Sequence, residues 1–154
     1  MKIVATLNST GSPAIFMHAT EAVHGDLGIL QKNDVIILIS KSGNTSEIKD
    51  LVPFLKSFGV KIISITSDKN SFLAKNSDYF LNSFVKKEAC PNNLAPTTST
   101  TAQLVIGDAL AICLSELKGF KESDFAKFHP GGSLGKKLHL KVKDLVTKNL
   151  KPQV

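Results

Sequence analysis

The stretch from Asp34 to Phe58 constrains the fold more than any other. Val35 to Ile39 is an unbroken run of β-branched and leucine side chains of strand length. Such a run suits a parallel strand covered on both faces. Ile48, Leu51, Val52, Leu55 and Phe58 then recur at helical spacing, and Gly59 is a natural residue just past a helix C-terminus. Between strand and helix lie Ser40, Lys41, Ser42, Gly43, Asn44, Thr45 and Ser46. Asn44 is a natural N-cap, with Glu47 three residues on as in a capping box. A strand running into a hydroxyl-rich glycine loop and a helix start also makes an anion site. Unpaired N–H groups, the helix dipole and the hydroxyls can all face one phosphate. The same residues fit an ordinary capped helix that binds nothing, so both readings stand on this stretch alone.

The rest of the chain alternates strand and helix. Lys2 to Ser9 reads as the end of a helix closing at Gly11, and a start in mid-helix predicts sequence upstream. Pro13 to Met17 reads as a short buried strand, with His18 at its C-terminal end, where ligands of α/β sheets collect. Thr20 to Leu27 reads as a short helix or helical turn carrying Glu21, His24 and Asp26. Strands over 61–66 and 78–84 flank a short helix over 71–75. This alternation predicts an α/β fold, a doubly wound parallel sheet flanked by helices.

A loop over 87–96 then leads to five successive hydroxyls, Thr97 to Thr101, and a helix to about Leu117. That helix is apolar nearly all round, which predicts burial in the domain or in a subunit interface, with a partner for Asp108 if buried. A short helix over 123–128 precedes a tight turn, His129 to Gly132. From Gly135 the tail turns basic, and Leu140 to Val146 alternates like a linker or the first strand of a further element.

A chain of 154 residues with 42% hydrophobic content can build one domain with a real core. No apolar run is long enough to span a bilayer, and the first residues do not read as a signal peptide. The net charge of +6 comes from lysines spread along the chain, with no Trp and one Tyr, which argues against a nucleic-acid surface. Cys90 and Cys113 have neither metal spacing nor a secretory context and read as free cytosolic thiols. No cysteine–histidine metal cluster, Walker loop or dinucleotide fingerprint is present. Candidate acid–base groups are Glu47, Glu88, His18, His24 and His129, each beside a loop or strand end; His139 reads as a surface group. Glu47 fits the capping box, an exposed loop Glu88 is ordinarily solvated, and His129 is fixed by the Pro-Gly-Gly turn that follows it.

Six stretches taken together resemble a known family: 24–28, 39–48, 87–91, 94–101, 107–110 and 129–135. They are similar, in order and spacing, to the arabinose-5-phosphate isomerase branch of the SIS (sugar isomerase) domain family. The resemblance implies an SIS domain over 1–135 and a basic linker or tail over 136–154. It implies a cytoplasmic aldose–ketose isomerase that interconverts D-ribulose 5-phosphate and D-arabinose 5-phosphate through an enediol, feeding the Kdo sugar of lipopolysaccharide. Ser40, Ser42 and Thr45 would hold the phosphate, and Thr97, Thr98, Ser99 and Thr100 would line the same pocket. Gly11, Ser12, His18 and His24 match substrate-contacting positions, and His18 also matches a position linked with bound zinc. Glu47, Glu88 and His129 match catalytically relevant positions. Glu88, with a raised pKa in a water-poor pocket, is the expected base for the C2 proton, and His129 the group for ring opening or carbonyl polarisation.

No organic cofactor is implied. The implied partners are a phosphorylated pentose and further copies of the chain, a tetramer in the family, with neither nucleic acid nor membrane. A non-catalytic sugar-phosphate sensing domain of the same fold is the competing implication, although a sensor has no need of Glu88 or His129. Two departures stand out. Relatives carry an upstream strand and a Gly-Lys-Ser-Gly loop, so the first strand of the sheet is expected to be missing here, with impaired activity. They also often have Asn where this chain has Lys41, a change expected to be tolerated.

Overall fold

The computed structural model describes residues 1–132 and 135–137. The alternating stretch 140–146, His139 and most of the basic tail lie outside the described residues, as do positions 133–134 of the turn block. The chain divides into two compact units, one of residues 1–14 with 110 onward, the other of residues 15–109.

The larger unit is α/β. A helical turn α2 (Ala19–Ala22) and a 3₁₀ turn (Asp26–Ile29) lead to strand β1 (Val35–Ile39). Helix α3 (Ser46–Ser57), strand β2 (Lys61–Thr66), the short helix α4 (Phe72–Lys75) and strand β3 (Tyr79–Asn82) follow. The strands form a parallel sheet in the order β1-β2-β3, with Ile36 beside Ile62 and Ile63 beside Tyr79. One core cluster joins Leu38 and Ile62 of the sheet to Ile48, Leu51, Val52 and Leu55 of α3, Leu73 of α4 and Ala22 of α2. Four of the five α3 positions whose helical spacing predicted a buried stripe are thus buried; the fifth, Phe58, is the C-cap and is exposed, and Gly59 closes the helix at φ 72°.

The outer strand differs from expectation. β1 pairs only with β2 among the described residues; Val35 is 52% and Ile39 41% exposed. It is an edge strand here, where its apolar run predicted a strand covered on both faces. Pro13 to Met17, expected as a strand, takes no regular structure. Ile15 and Phe16 are exposed. A strand needs a ladder partner for its N–H and C=O groups, and this segment has none among the described residues, so its apolar content does not suffice.

Helix α5 (Thr98–Leu117) contributes its first part to this unit and its last turns to the other. Val105, Ile112 and Leu117 are exposed, so the predicted burial within the domain does not hold for that face. By length and composition alone, α5 is apolar enough to cross a membrane, contrary to the expectation that no segment is.

The smaller unit contains α1 (Lys2–Ser9) and α6 (Glu122–Phe128). Gly11 takes φ 82°, and a Cβ there would stand 2.8 Å from the Phe120 ring, so only glycine fits. Phe120 stacks on Phe128, with ring centroids 5.8 Å apart.

Candidate functional site

The loop after β1 is fixed from behind. Ser40 N–H donates to Ile65 O (3.1 Å), and Lys41 O accepts from Ser67 N–H (3.0 Å) and the Thr66 hydroxyl (3.1 Å). Gly43 sits at φ 63°, and a Cβ there would collide with the Ser71 and Thr66 side chains. Gly43 O and Asn44 Oδ1 accept the first amides of α4, from Leu73 (2.9 Å) and Phe72 (3.0 Å). Asn44 therefore caps α4 from outside rather than α3, as the sequence had suggested. The N-cap of α3 is Thr45, whose side chain makes no capping bond. Glu47 closes no capping box either; its Oε2 accepts from the Ser46 hydroxyl (3.1 Å).

The first-turn amides of α3 thus have no side-chain cap, at a loop that faces solvent through Ser42 and Thr45. Ser40 Oγ accepts from Gly43 N–H and Ser42 Oγ from Asn44 N–H, both at 3.2 Å. Each hydroxyl keeps its own hydrogen for donation outward. Rigid hydroxyl donors beside open helix amides are what an anion requires.

The start of α5 is arranged differently. Glu88, in the loop after β3, has a fully buried side chain. Its Oε1 accepts from Lys41 Nζ (2.6 Å), and its Oε2 from Thr97 N–H (2.9 Å), the Thr97 hydroxyl (3.2 Å) and Ser99 N–H (3.1 Å). The Lys41 ammonium first, then the Ser99 hydroxyl and the Thr97 and Ser99 amides, hold the Glu88 carboxyl far below the usual carboxylate range. The Ser99 hydroxyl favours the ionised form by proximity, although its Oγ completes no hydrogen bond of good geometry among the described residues. The raised pKa expected of Glu88 is therefore corrected to a lowered one. Burial alone would have raised it; four donors outweigh burial.

The expected hydroxyl run splits in two. Thr97 and Ser99 turn their amides onto Glu88, while Thr98 and Thr100 are exposed, with Thr100 Oγ1 donating to Thr97 O (2.9 Å). Lys41, whose role was missed, links the loop 40–45 to this turn. Its signal in sequence is a lone lysine inside a loop otherwise made of hydroxyl, glycine and asparagine residues.

His18 and His24 are both exposed in the larger unit. His18 Nδ1 accepts from Thr20 N–H (3.3 Å), which makes it the N-cap of α2. Among the described residues no three His, Cys, Asp or Glu side chains gather to hold a metal. His18 contributes one ligand at most, so these residues do not by themselves build a zinc site.

In the smaller unit, Lys118 Nζ donates to Gly11 O (3.1 Å) and Ser12 Oγ (2.8 Å), which fixes both expected contact positions. His129 stacks on Phe125, and its Nδ1 lies 2.9 Å from Phe125 O. A carbonyl only accepts, so Nδ1 carries the hydrogen and the neutral ring offers its lone pair at Nε2. A surface hollow of about 580 Å³ lies at the opposite, N-terminal end of β1 and β2, lined by Leu30–Asp34 and Phe58–Lys61. It has no hydroxyl side chain in its lining.

Known proteins resemble the chain over most of its length. The SIS domain family matches residues 1–113. An arabinose 5-phosphate isomerase, KdsD, of Francisella tularensis is 57% identical over 147 residues, 96% of this chain and 45% of that protein. An arabinose 5-phosphate isomerase, KpsF, of Escherichia coli O6:H1 is 56% identical over 94% of this chain and 44% of that protein. The chain thus spans less than half the length of the curated relatives it matches. A solved structure of an E. coli CFT073 protein in complex with A5P superimposes with a TM-score of 0.80 at 51% identity, covering 84% of this chain and 69% of that one. A family model that spans residues 1–113 covers well over half of the chain, which therefore belongs to the SIS domain family.

Proposed function

We propose that this chain is the isomerase domain of an arabinose 5-phosphate isomerase, interconverting D-ribulose 5-phosphate and D-arabinose 5-phosphate. The breadth of the likeness to the Francisella and E. coli isomerases carries this reading. The uncapped start of α3 supports it, because it matches a phosphate in charge and in hydrogen-bond donors. In this reading Ser40, Ser42 and Thr45 hold the phosphate beside the amides of Ser46 and Glu47, with the Lys41 cation nearby. Thr98 and Thr100 face the sugar hydroxyls, with His18 and His24 as further substrate contacts.

The reaction moves one proton from C2 of the open-chain aldose to C1, and one from the C2 hydroxyl to the C1 oxygen, through a cis-enediol. His129, with its lone pair at Nε2, has the right form to take the anomeric hydroxyl proton and return it to the ring oxygen as the bond between C1 and that oxygen breaks. Glu47, at the open start of α3, is the carboxylate free of a cation among the hydrogen bonds described above. No organic cofactor takes part. The product would feed the Kdo sugar of lipopolysaccharide in the cytoplasm. The exposed apolar face of α5, with Val105 and Ile112, would pack against another copy of the chain in a homo-oligomer rather than against lipid. A zinc ion at His18 would need ligands from beyond the described residues.

The test is conversion of ribulose 5-phosphate by the 154-residue chain, followed by NMR of the sugar. Appearance of arabinose 5-phosphate is expected. Binding without conversion would favour the regulatory reading, a sugar-phosphate sensing domain, and absence of binding would sink both.

A further inference from the structure

Glu88 takes four donors on a carboxylate with about four lone-pair sites. Three of them meet at Oε2 and the Lys41 ammonium sits on Oε1, so a proton from carbon would have to enter a fully buried carboxylate directly beside a cation. Two of the four are backbone amides at the start of α5, so those bonds fix the path of the chain from Thr97 to Ser99. The fourth partner, Lys41, is 47 residues away in sequence. Its carbonyl is pinned by Ser67 and Thr66, so its ammonium reaches Glu88 from a fixed base. About half of the Lys41 side chain remains exposed at the loop that carries Ser40, Ser42 and Thr45.

From this geometry the structure assigns Lys41 and Glu88 as a positioning pair: Lys41 neutralises Glu88 and joins the phosphate loop to the start of α5, and Glu88 orders the hydroxyl run while the substrate proton moves on another group. The assignment rests on the isomerase reading above and deepens it. It explains how a buried carboxylate can matter to turnover without touching the reacting carbons.

Turnover of three variants separates positioning from base catalysis. Glu88→Gln keeps one acceptor for the α5 amides but turns an NH₂ group toward the Lys41 ammonium. Turnover should fall by about 100-fold or more, as for loss of a true acid–base group. Lys41→Met should cost less. The double variant Lys41→Met/Glu88→Gln removes the clash between donors, and its turnover should return to within about tenfold of Lys41→Met alone, with the acid limb of the kcat/KM pH profile retained. A double variant as inactive as Glu88→Gln, or one whose acid limb has vanished, overturns the pair.

A second measurement needs no turnover. Carbon-13 NMR of the Glu88 carboxyl in the unliganded chain should show it ionised well into acid. Lys41→Met should raise its titration midpoint and move the Thr97 and Ser99 amide resonances. A wild-type Glu88 midpoint in or above the ordinary carboxylate range overturns the assignment whatever the activity. If the chain binds or converts no sugar while these resonances behave as described, the isomerase reading fails and the pair stands.

Discussion

The starts of α3 and α5 are both hydroxyl-rich stretches entering a helix, yet their first-turn amides meet different fates. At α5 the amides of Thr97 and Ser99 close onto Glu88, a carboxylate of the same chain. At α3 the N-cap Thr45 leaves them uncapped, and the nearby asparagine is diverted to α4. One helix start is satisfied by the protein itself; the other is held open by a loop whose own needs are met from behind. Composition cannot distinguish the two, because both are Ser/Thr stretches. What separates them is whether an acidic side chain can reach, and that depends on tertiary placement.

The largest way to break this contrast is Gly43→Ala. The left-handed backbone at this position and the blocked Cβ impose about 1–3 kcal/mol of strain. The loop should give way, with sugar-phosphate binding lost in calorimetry and a lower urea midpoint; unchanged binding would mean that the loop is not the anion site. Next, Thr45→Val should weaken phosphate binding by about 10- to 100-fold while the melting temperature stays put, because its hydroxyl makes no internal cap. The same change at the other helix, Thr97→Val, should do the reverse. It removes a hydroxyl that accepts from Ala89 N–H and donates to Glu88, at a cost of about 1 kcal/mol in stability by urea unfolding. Equal effects of the two substitutions on binding would erase the distinction.

Acid sharpens it further. Glu88 has a lower pKa folded than unfolded, so its stabilising contribution is complete above the unfolded value near 4.5 and is lost as the pH falls through the folded one. Urea midpoints measured from pH 6 downward should therefore decline below about pH 4.5, and Glu88→Gln should flatten that decline. An identical slope in the variant would place the acid sensitivity elsewhere. The smallest effect belongs to Ser71→Ala, which removes the α4 cap on Ala74 N–H (3.2 Å) and should cost about 1 kcal/mol with sugar binding intact.

Much of the fold was legible from local pattern. The α3 stripe, the β2 run, the short helix after Asn70 and the Gly59 terminus follow from spacing and from residues whose preferences are short-range. Pro13 to Met17 was misread because a strand is a property of pairs, and its apolar residues say nothing about whether a partner edge is available. The capping of α3 slipped by one residue because Asn44 had two helices within reach, and sequence shows only the nearer. At the site, the hydroxyl loop and its strand were readable as one local unit. The state of Glu88 was not, since burial and cation contact pull its pKa in opposite directions, and the deciding cation, Lys41, lies on a different strand end.

The Lys41–Glu88 contact has a consequence for folding. It closes a long loop through side chains and amides instead of through the β ladder, so the sheet and α3 can form before it does. The amides of Thr97 and Ser99 then belong to a separate opening unit, less protected against hydrogen exchange than the β2 ladder yet released together. A bound sugar phosphate that bridges the two helix starts would slow exchange at both amides without changing that of the sheet, which makes them internal reporters of occupancy.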